Sequence, residues 1–116
     1  MARLSTHVLD TSRGMPAQGV VVQLHRVDGE ARQPVATSVT NADGRTDQPL
    51  ISGQIAPGTY ELIFRAGDYF RRHGVALTAP PFLDVIVIRV GLADPDGQYH
   101  VPLLLSPYGY STYRGT

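Results

Sequence analysis

Turn-forming residues divide this chain into short segments in which apolar and polar side chains alternate. Asp28-Gly29 and Asp43-Gly44 are two such turns, and both pairs favour tight reversals of the backbone. A later segment carries Tyr60, Leu62 and Phe64 at every second position. A period of two is typical of a strand that buries one face, so the chain is constrained to fold from short β-strands.

The same pattern predicts about eight strands over the whole chain. The clearest segments lie at residues 4–11, 19–27, 35–40, 59–66, 84–92, 100–105 and 110–113. In the third of these, Val35, Thr37 and Val39 fall on one face. Residues 46–58 hold proline, glycine and polar spacers, which predicts a loop with at most a short edge strand.

One segment departs from the period of two and predicts a helix. Residues 67–74 place Asp68 where an N-cap would stand and Gly74 where a helix would stop. Two arginines and a histidine precede that glycine, as expected for the last turn of a helix. The sequence therefore predicts a single short helix of about two turns.

The strand predicted at 84–92 is apolar on both faces. Ile86 and Ile88 lie on one side, and Val85 and Val87 lie on the other. In a two-layer protein such a strand is either central and covered, or an edge strand that pairs with another subunit. With the other segments it favours an all-β fold, an antiparallel β-sandwich that forms one domain over residues 1–116.

Composition excludes several classes of function. Ten basic residues balance ten acidic ones, so nothing favours nucleic acid or an anionic membrane as a partner. There is no cysteine, which excludes disulfides, thiolate nucleophiles and thiolate metal sites. The first residues show no apolar leader, and the longest apolar run, 85–88, is too short to span a bilayer. We therefore expect a soluble, cytoplasmic protein.

Three polar residues are candidates for chemistry. His7 and His100 each lie opposite the core face of a predicted strand, and Arg45 directly follows a tight turn. A histidine in such a position is most often a solvated surface residue, and sequence spacing alone does not bring the three together. The four histidines show no paired ligand spacing, so no metal site or cofactor is predicted.

Three motifs add a resemblance to these patterns. They are LSTHVLD at residues 4–10, TNADGRT at 40–46 and HVPLLLSPYGYSTYRG at 100–115. In this order they resemble the 5-hydroxyisourate hydrolases, the transthyretin-related proteins of urate catabolism. One position departs from that family, because Thr116 stands where the hydrolases usually carry serine. Threonine keeps the hydroxyl and adds a methyl group.

The resemblance implies a fold, an assembly and a reaction. The fold is a transthyretin-like sandwich of two four-stranded sheets with one short helix. The assembly is a homotetramer, a dimer of dimers whose central channel holds the active sites. The reaction is the hydrolysis of the ring amide of 5-hydroxyisourate to 2-oxo-4-hydroxy-4-carboxy-5-ureidoimidazoline, without a metal or another cofactor.

The resemblance also implies roles for individual residues. His7 and His100 would activate water and deliver a proton, in an order that the sequence leaves open, and Arg45 would bind the substrate or the developing oxyanion. The substrate-binding residues would be Ser111, Tyr113, Arg114, Gly115 and Thr116. Two alternatives are a transthyretin-like carrier of an apolar small ligand and a non-catalytic interaction domain. The polar character of the two histidines, the arginine and the tyrosine argues against the carrier.

Overall fold

The computed structural model describes residues 1–116 as nine β-strands and one short helix. The strands are β1 (Ala2–Asp10), β2 (Met15–Pro16), β3 (Val21–Asp28), β4 (Ala31–Val39), β5 (Ile51–Gly53), β6 (Gly58–Arg65), β7 (Val85–Leu92), β8 (Gln98–Ser106) and β9 (Gly109–Thr112), and the helix is α1 (Ala66–Arg72). The predicted segments all contain an element of the expected type. The predicted loop at 46–58 also contains the short strand β5, which pairs with β1.

The strands form two sheets. One has the order β4-β3-β6-β7, and all its pairs are antiparallel. The other has the order β2-β1-β8-β9, and β5 also pairs with β1. Because β8 occupies one edge of β1, both β2 and β5 lie on its other edge, β2 near Asp10 and β5 near Ala2. This sheet has five strands but is four strands wide, which agrees with the predicted sandwich.

One pair breaks the antiparallel rule. Strands β1 and β8 run parallel, with Ser5 opposite His100 and His7 opposite Pro102. A parallel pair needs a long connection, and here that connection includes the entire second sheet. The pairing joins the start of the chain to its last long strand, so it sets the geometry of the candidate site.

The core lies between the two sheets and contains 21 buried apolar residues. The inward faces predicted for β3, β6 and β8 are confirmed, because their alternating residues are buried. These residues are Val20, Val22, Leu24, Tyr60, Leu62, Phe64, Val101, Leu103 and Leu105. Burial of one face of each strand leaves the opposite face of the β1–β8 sheet open for a site.

The face of β4 that carries Val35 and Val39 points away from the core, and the opposite face points inward. Val35 and Val39 are 45 % and 51 % exposed, whereas Ala36 packs against the core. A β-bulge between β3 and β4 leaves Val35 without a partner, since His25 pairs with Pro34 and Leu24 with Ala36. Residues opposite each other share a face, so Ala36 follows Leu24 into the core.

The helix is present, but its predicted N-cap is wrong. Helix α1 follows β6 without a break, and Arg65 occupies the N-cap position without a side-chain capping bond. Asp68 lies inside the first turn and pairs with Arg71 at 3.0 Å. Gly74 has a φ of +76°, which fits the predicted helix stop. No helix in the structure has both the length and the apolar character needed to cross a membrane.

Strand β7 resolves the two alternatives for the apolar segment. It lies at the edge of its sheet, so it is not a covered central strand. Ile86 and Ile88 point into the core, while Val85 and Val87 are 40 % and 46 % exposed on the outer face. The pairing of this edge with a second subunit stays a prediction.

Candidate functional site

The two candidate histidines lie on the same face of the β1–β8 sheet. Thr6 and Val101 point into the core, so their neighbours His7 and His100 point outward. His100 lies beside Ser5 in the parallel pair, which makes His7 its diagonal neighbour on the next strand. The structure therefore brings together two imidazoles from opposite ends of the chain.

Arg45 reaches this face because of the tight turn that precedes it. The Gly44 N–H donates to the Asn41 carbonyl at 2.9 Å, and Gly44 adopts a φ of +76° that favours glycine. A side chain at position 44 would also collide with the Val8 carbonyl oxygen. The turn rests on β1, and Arg45 forms an isolated antiparallel bridge with His7. The glycine is thus required for the arginine to sit beside the histidine.

The His7 ring is held by the same turn. Its Nε2 lies 2.8 Å from the carbonyl oxygen of Asp43. A carbonyl oxygen only accepts hydrogen bonds, so Nε2 carries the hydrogen and donates it. This contact leaves Nδ1 of His7 as the ring nitrogen that can exchange a proton.

His100 is more enclosed than His7. Its Nδ1 lies 2.8 Å from the Ser5 hydroxyl oxygen, and its backbone carbonyl accepts a bond from the Gly115 N–H at 2.8 Å. Burial lowers the pKa of His100, and the positive charges of Arg45, His7 and Arg3 lower it further. The imidazole is therefore held in its neutral form at a pH where an ordinary histidine begins to protonate.

A cavity of about 300 Å³ lies against this histidine. It is lined by Arg3, Ser5, Arg45, Gln98, Tyr99, His100 and Thr116. The guanidinium groups of Arg3 and Arg45 form no hydrogen bond or ion pair with the protein, so both are free for a ligand in the cavity. No group of three or more histidine, aspartate or glutamate side chains is arranged to hold a metal ion.

The other predicted substrate-binding residues lie around the cavity rather than in it. Tyr113 and Arg114 line a second cavity of about 310 Å³, which His100 also borders. The Arg114 guanidinium stacks on the Tyr99 ring at 4.5 Å and donates to the Gln98 carbonyl at 3.3 Å. Ser111 is exposed on β9 opposite Leu104 and lines neither cavity. Within one chain the terminal segment frames the site from the side of β8.

Four cavity residues were not among the sequence candidates: Arg3, Ser5, Gln98 and Tyr99. The period of two contains a signal for three of them, since Arg3 and Ser5 share the phase of His7, and Gln98 shares that of His100. Tyr99 belongs to the inward phase of β8, and its hydroxyl accepts the Asp94 N–H at 3.0 Å. Alternation therefore gives no reason to expect Tyr99 at the cavity.

Gly115 controls the position of the His100 ring. A Cβ at this position would lie 2.6 Å from Cδ2 of His100 and 3.2 Å from Cγ of Pro102. We expect Gly115→Ala to displace the imidazole and to lower kcat/KM for the substrate proposed below by about tenfold or more. Gly109→Ala is a matched control, because a Cβ there would make only an ordinary contact, at 3.6 Å with the Ser106 hydroxyl, and Gly109 lines neither cavity. Equal activity of the two variants would contradict the close packing of Gly115 on the ring.

The sandwich, with its parallel β1–β8 pair and its histidine and arginine cavity, defines a protein of the transthyretin-like class. The model of the HIUase/Transthyretin family matches residues 4–115. The chain belongs to this family, and the resemblance inferred from the three motifs is confirmed. The transthyretin-like all-β fold is confirmed as well.

Several relatives and solved structures are similar over nearly all of this chain. The 5-hydroxyisourate hydrolase 2 of Rhizobium meliloti (strain 1021) is 59% identical over 115 residues, which are 98% of this chain and 96% of the relative. The structure of Klebsiella pneumoniae 5-hydroxyisourate hydrolase is 36% identical, covers 100% of both chains and has a TM-score of 0.83.

Two further structures show the range of the family. The crystal structure of (S)-allantoin synthase is 44% identical with a TM-score of 0.92; the match covers 99% of this chain but only 44% of that longer one. Sea bream transthyretin in complex with thyroxine is 30% identical with a TM-score of 0.85, covering 98% of this chain and 95% of that chain. The fold is therefore shared by a hydrolase, a synthase and transthyretin.

Proposed function

We propose that this protein is an enzyme of urate catabolism that hydrolyses the ring amide of 5-hydroxyisourate. The observation that carries the proposal is the meeting of a neutral imidazole, His100, with the unpaired guanidinium of Arg45 at one small cavity. The similarity to 5-hydroxyisourate hydrolases over the full chain supports the same substrate. The reaction adds water across the carbon–nitrogen bond and yields a carboxylate and an N–H group.

His100 is assigned as the general base. Its Nδ1 is engaged by Ser5, while its Nε2 makes no hydrogen bond with the protein. A base must be unprotonated to accept a proton from water, and the lowered pKa of His100 keeps it so at neutral pH. Nε2 would take one proton as the water oxygen attacks the substrate carbonyl.

Arg45 is assigned to stabilise the negative charge that the attack produces, and His7 is assigned to protonate the leaving nitrogen. The carbonyl oxygen gains negative charge, and the planar guanidinium of Arg45 offers permanently charged donors for it. His7 lies beside Arg45. As an imidazolium, with hydrogens on both ring nitrogens, it would give its Nδ1 proton to the leaving ring nitrogen and become neutral. The two imidazoles would thus divide base and acid work without a metal or a covalent intermediate.

One assay tests the reaction directly. Urate oxidase generates 5-hydroxyisourate from urate, and the absorbance of this intermediate decays spontaneously. We expect the protein to accelerate that decay in proportion to its concentration. Decay at the spontaneous rate over a wide range of protein concentration would reject the hydrolase.

The alternative is a carrier of an apolar small ligand, and the structure of sea bream transthyretin with thyroxine is the reason to consider it. The cavity at His100 favours the enzyme, because arginine, serine, glutamine and threonine side chains dominate its lining. A ligand with large apolar aromatic rings, such as thyroxine, should therefore bind weakly in equilibrium dialysis. Tight binding without hydrolysis would favour the carrier.

The proposed assembly is a homotetramer built as a dimer of dimers. Strands β7 and β9 are edge strands of the two sheets, and both expose apolar or aromatic side chains, including Val85, Val87 and Tyr110. Edge strands with such side chains favour pairing with a second copy. Sedimentation equilibrium should give the mass of four chains. The cytoplasmic location stays a prediction that cell fractionation would test.

Thr116 gives a prediction with a small expected effect. The residue lines the cavity, and Thr116→Ser removes one methyl group but keeps the hydroxyl. We expect kcat/KM to change less than tenfold, under about 1.4 kcal/mol. The exposed Thr37→Ser on β4 provides a control for the same chemical change. A larger effect at position 116 alone would mean that the methyl group crowds the substrate.

A further inference from the structure

The contact between Ser5 and His100 has a specific geometry. The two residues are opposite each other in the parallel β1–β8 pair, 95 positions apart in the chain, and both project from the outer face. The Ser5 hydroxyl oxygen lies 2.8 Å from Nδ1, and both side chains are partly buried. This is the ring's single hydrogen bond with the protein. The serine therefore holds Nδ1 of an imidazole whose Cδ2 atom lies close to Gly115.

The direction of this hydrogen bond decides what His100 presents to the cavity. A hydroxyl can donate to a bare Nδ1, which leaves a hydrogen on Nε2, or accept from an Nδ1–H, which leaves Nε2 with its lone pair. Only the second arrangement gives the cavity a base. The proton that the base then gains places a positive charge on a ring that already faces several cations.

The charged groups around the ring explain why a neutral acceptor suits this position. Arg3 and His7 face it from β1, and Arg45 faces it from the loop after β4. Arg114 of the terminal segment lies further out, on the Tyr99 ring. A carboxylate at position 5 would attract both cavity arginines and occupy them. A serine oxygen supports the Nδ1–H bond and leaves Arg3 and Arg45 unpaired.

We propose that Ser5 is a positioning residue for His100, whose hydroxyl accepts the Nδ1–H bond and so keeps the Nε2 lone pair directed to the cavity. The kinetic consequence rests on the hydrolase function proposed above. The tautomer and the ring orientation do not depend on it, because they belong to the protein without substrate.

The kinetic test compares Ser5→Ala with Ser5→Thr. We expect Ser5→Ala to lower kcat and kcat/KM together by about tenfold, the value of one hydrogen bond, with KM unchanged. Ser5→Thr keeps a hydroxyl and should recover most of the loss. The alanine variant should also shift the acid limb of the pH–rate profile to lower pH, because it removes a bond that is strongest for the protonated ring.

A control on the same strand pair separates positioning from stability. Thr6 adjoins Ser5, but its hydroxyl points into the core and donates to the Val101 carbonyl at 2.7 Å. Thr6→Val also removes one hydroxyl bond between β1 and β8. It should lower the melting temperature and leave the pH–rate profile in place. Unchanged kinetics of Ser5→Ala, or an acid limb shifted to higher pH, would overturn the proposal.

A measurement without substrate makes the two proposals separable. The ¹⁵N chemical shifts of the histidines, with His100 assigned from a His100→Asn sample, report which ring nitrogen is protonated. We expect His100 to carry its hydrogen on Nδ1 at pH 7.5 in the wild-type protein and to lose this preference in Ser5→Ala. A hydrogen on Nε2 in the wild type would refute the role of Ser5. An inactive protein with the expected tautomer would refute the hydrolase alone.

Discussion

Replacement of His100 by asparagine should lower kcat for 5-hydroxyisourate by about 10²–10⁴-fold, the usual contribution of a general acid or base. Asparagine is similar in size and polar, but it has no group that titrates near neutral pH. Because His100 lines the cavity and is held neutral by burial and by its cationic neighbours, its loss removes the proposed base. Stopped-flow measurement of the intermediate's absorbance gives kcat and KM separately.

The corresponding His7→Asn variant should show a loss in the same range. His7 is the proposed second proton carrier and also contacts the turn that presents Arg45, so an increase in KM should accompany the loss of kcat. His25→Asn on the other sheet is the matched control and should keep wild-type rates. Sedimentation should show the same assembly for all three variants. Wild-type rates in His7→Asn and His100→Asn would remove both histidines from the chemistry.

Replacement of Arg45 by methionine should have the next largest effect and lower kcat by about 10²–10³-fold. Methionine keeps an unbranched side chain and removes the charge and the donors. The guanidinium makes no hydrogen bond with the protein, so the loss reports its interaction with the substrate rather than the stability of the turn. The effect should appear mainly in kcat, since the oxyanion develops only as water attacks.

Two further variants sharpen this test. Arg45→Lys restores the charge without the planar pair of donors and should recover only part of the loss. Arg71→Met removes an exposed arginine of α1 that pairs with Asp68, and it should leave kcat unchanged. An increase in KM alone, with kcat unchanged, would assign Arg45 to binding of the ground-state substrate instead of stabilisation of the oxyanion.

Much of the fold could be predicted because a strand that buries one face has apolar residues at every second position of the sequence. Tyr60, Leu62 and Phe64 alternate with their neighbours, and all three are buried. The local pattern was insufficient where the structure depends on the pairing of strands or on the element that precedes a helix. The pairing of Ala36 with the buried Leu24 turns the valine face of β4 outward. The uninterrupted passage from β6 into α1 leaves Arg65, not Asp68, at the N-cap position.

The candidate site was predictable in part, and mainly through the resemblance. Periodicity assigned His7 and His100 to non-core faces, but a non-core face is usually solvent. The motif TNADGRT explains the position of Arg45. Its Gly44 adopts a positive φ and packs so closely on β1 that a side chain there would collide with the backbone. Arg3 and Ser5 had the right phase, but no local feature distinguishes them from surface residues, because the cavity that they line forms only in the folded protein.

The sequence by itself determined which residues form strands, which faces of β3, β6 and β8 are buried and where the chain turns, since each of these depends on neighbours a few positions away. Tertiary structure alone decided that β1 lies parallel to β8, because strand neighbours are chosen by the total burial achieved when two sheets pack. That choice places Ser5 against His100 across 95 positions. It surrounds a neutral imidazole with arginines, an arrangement that no local pattern encodes.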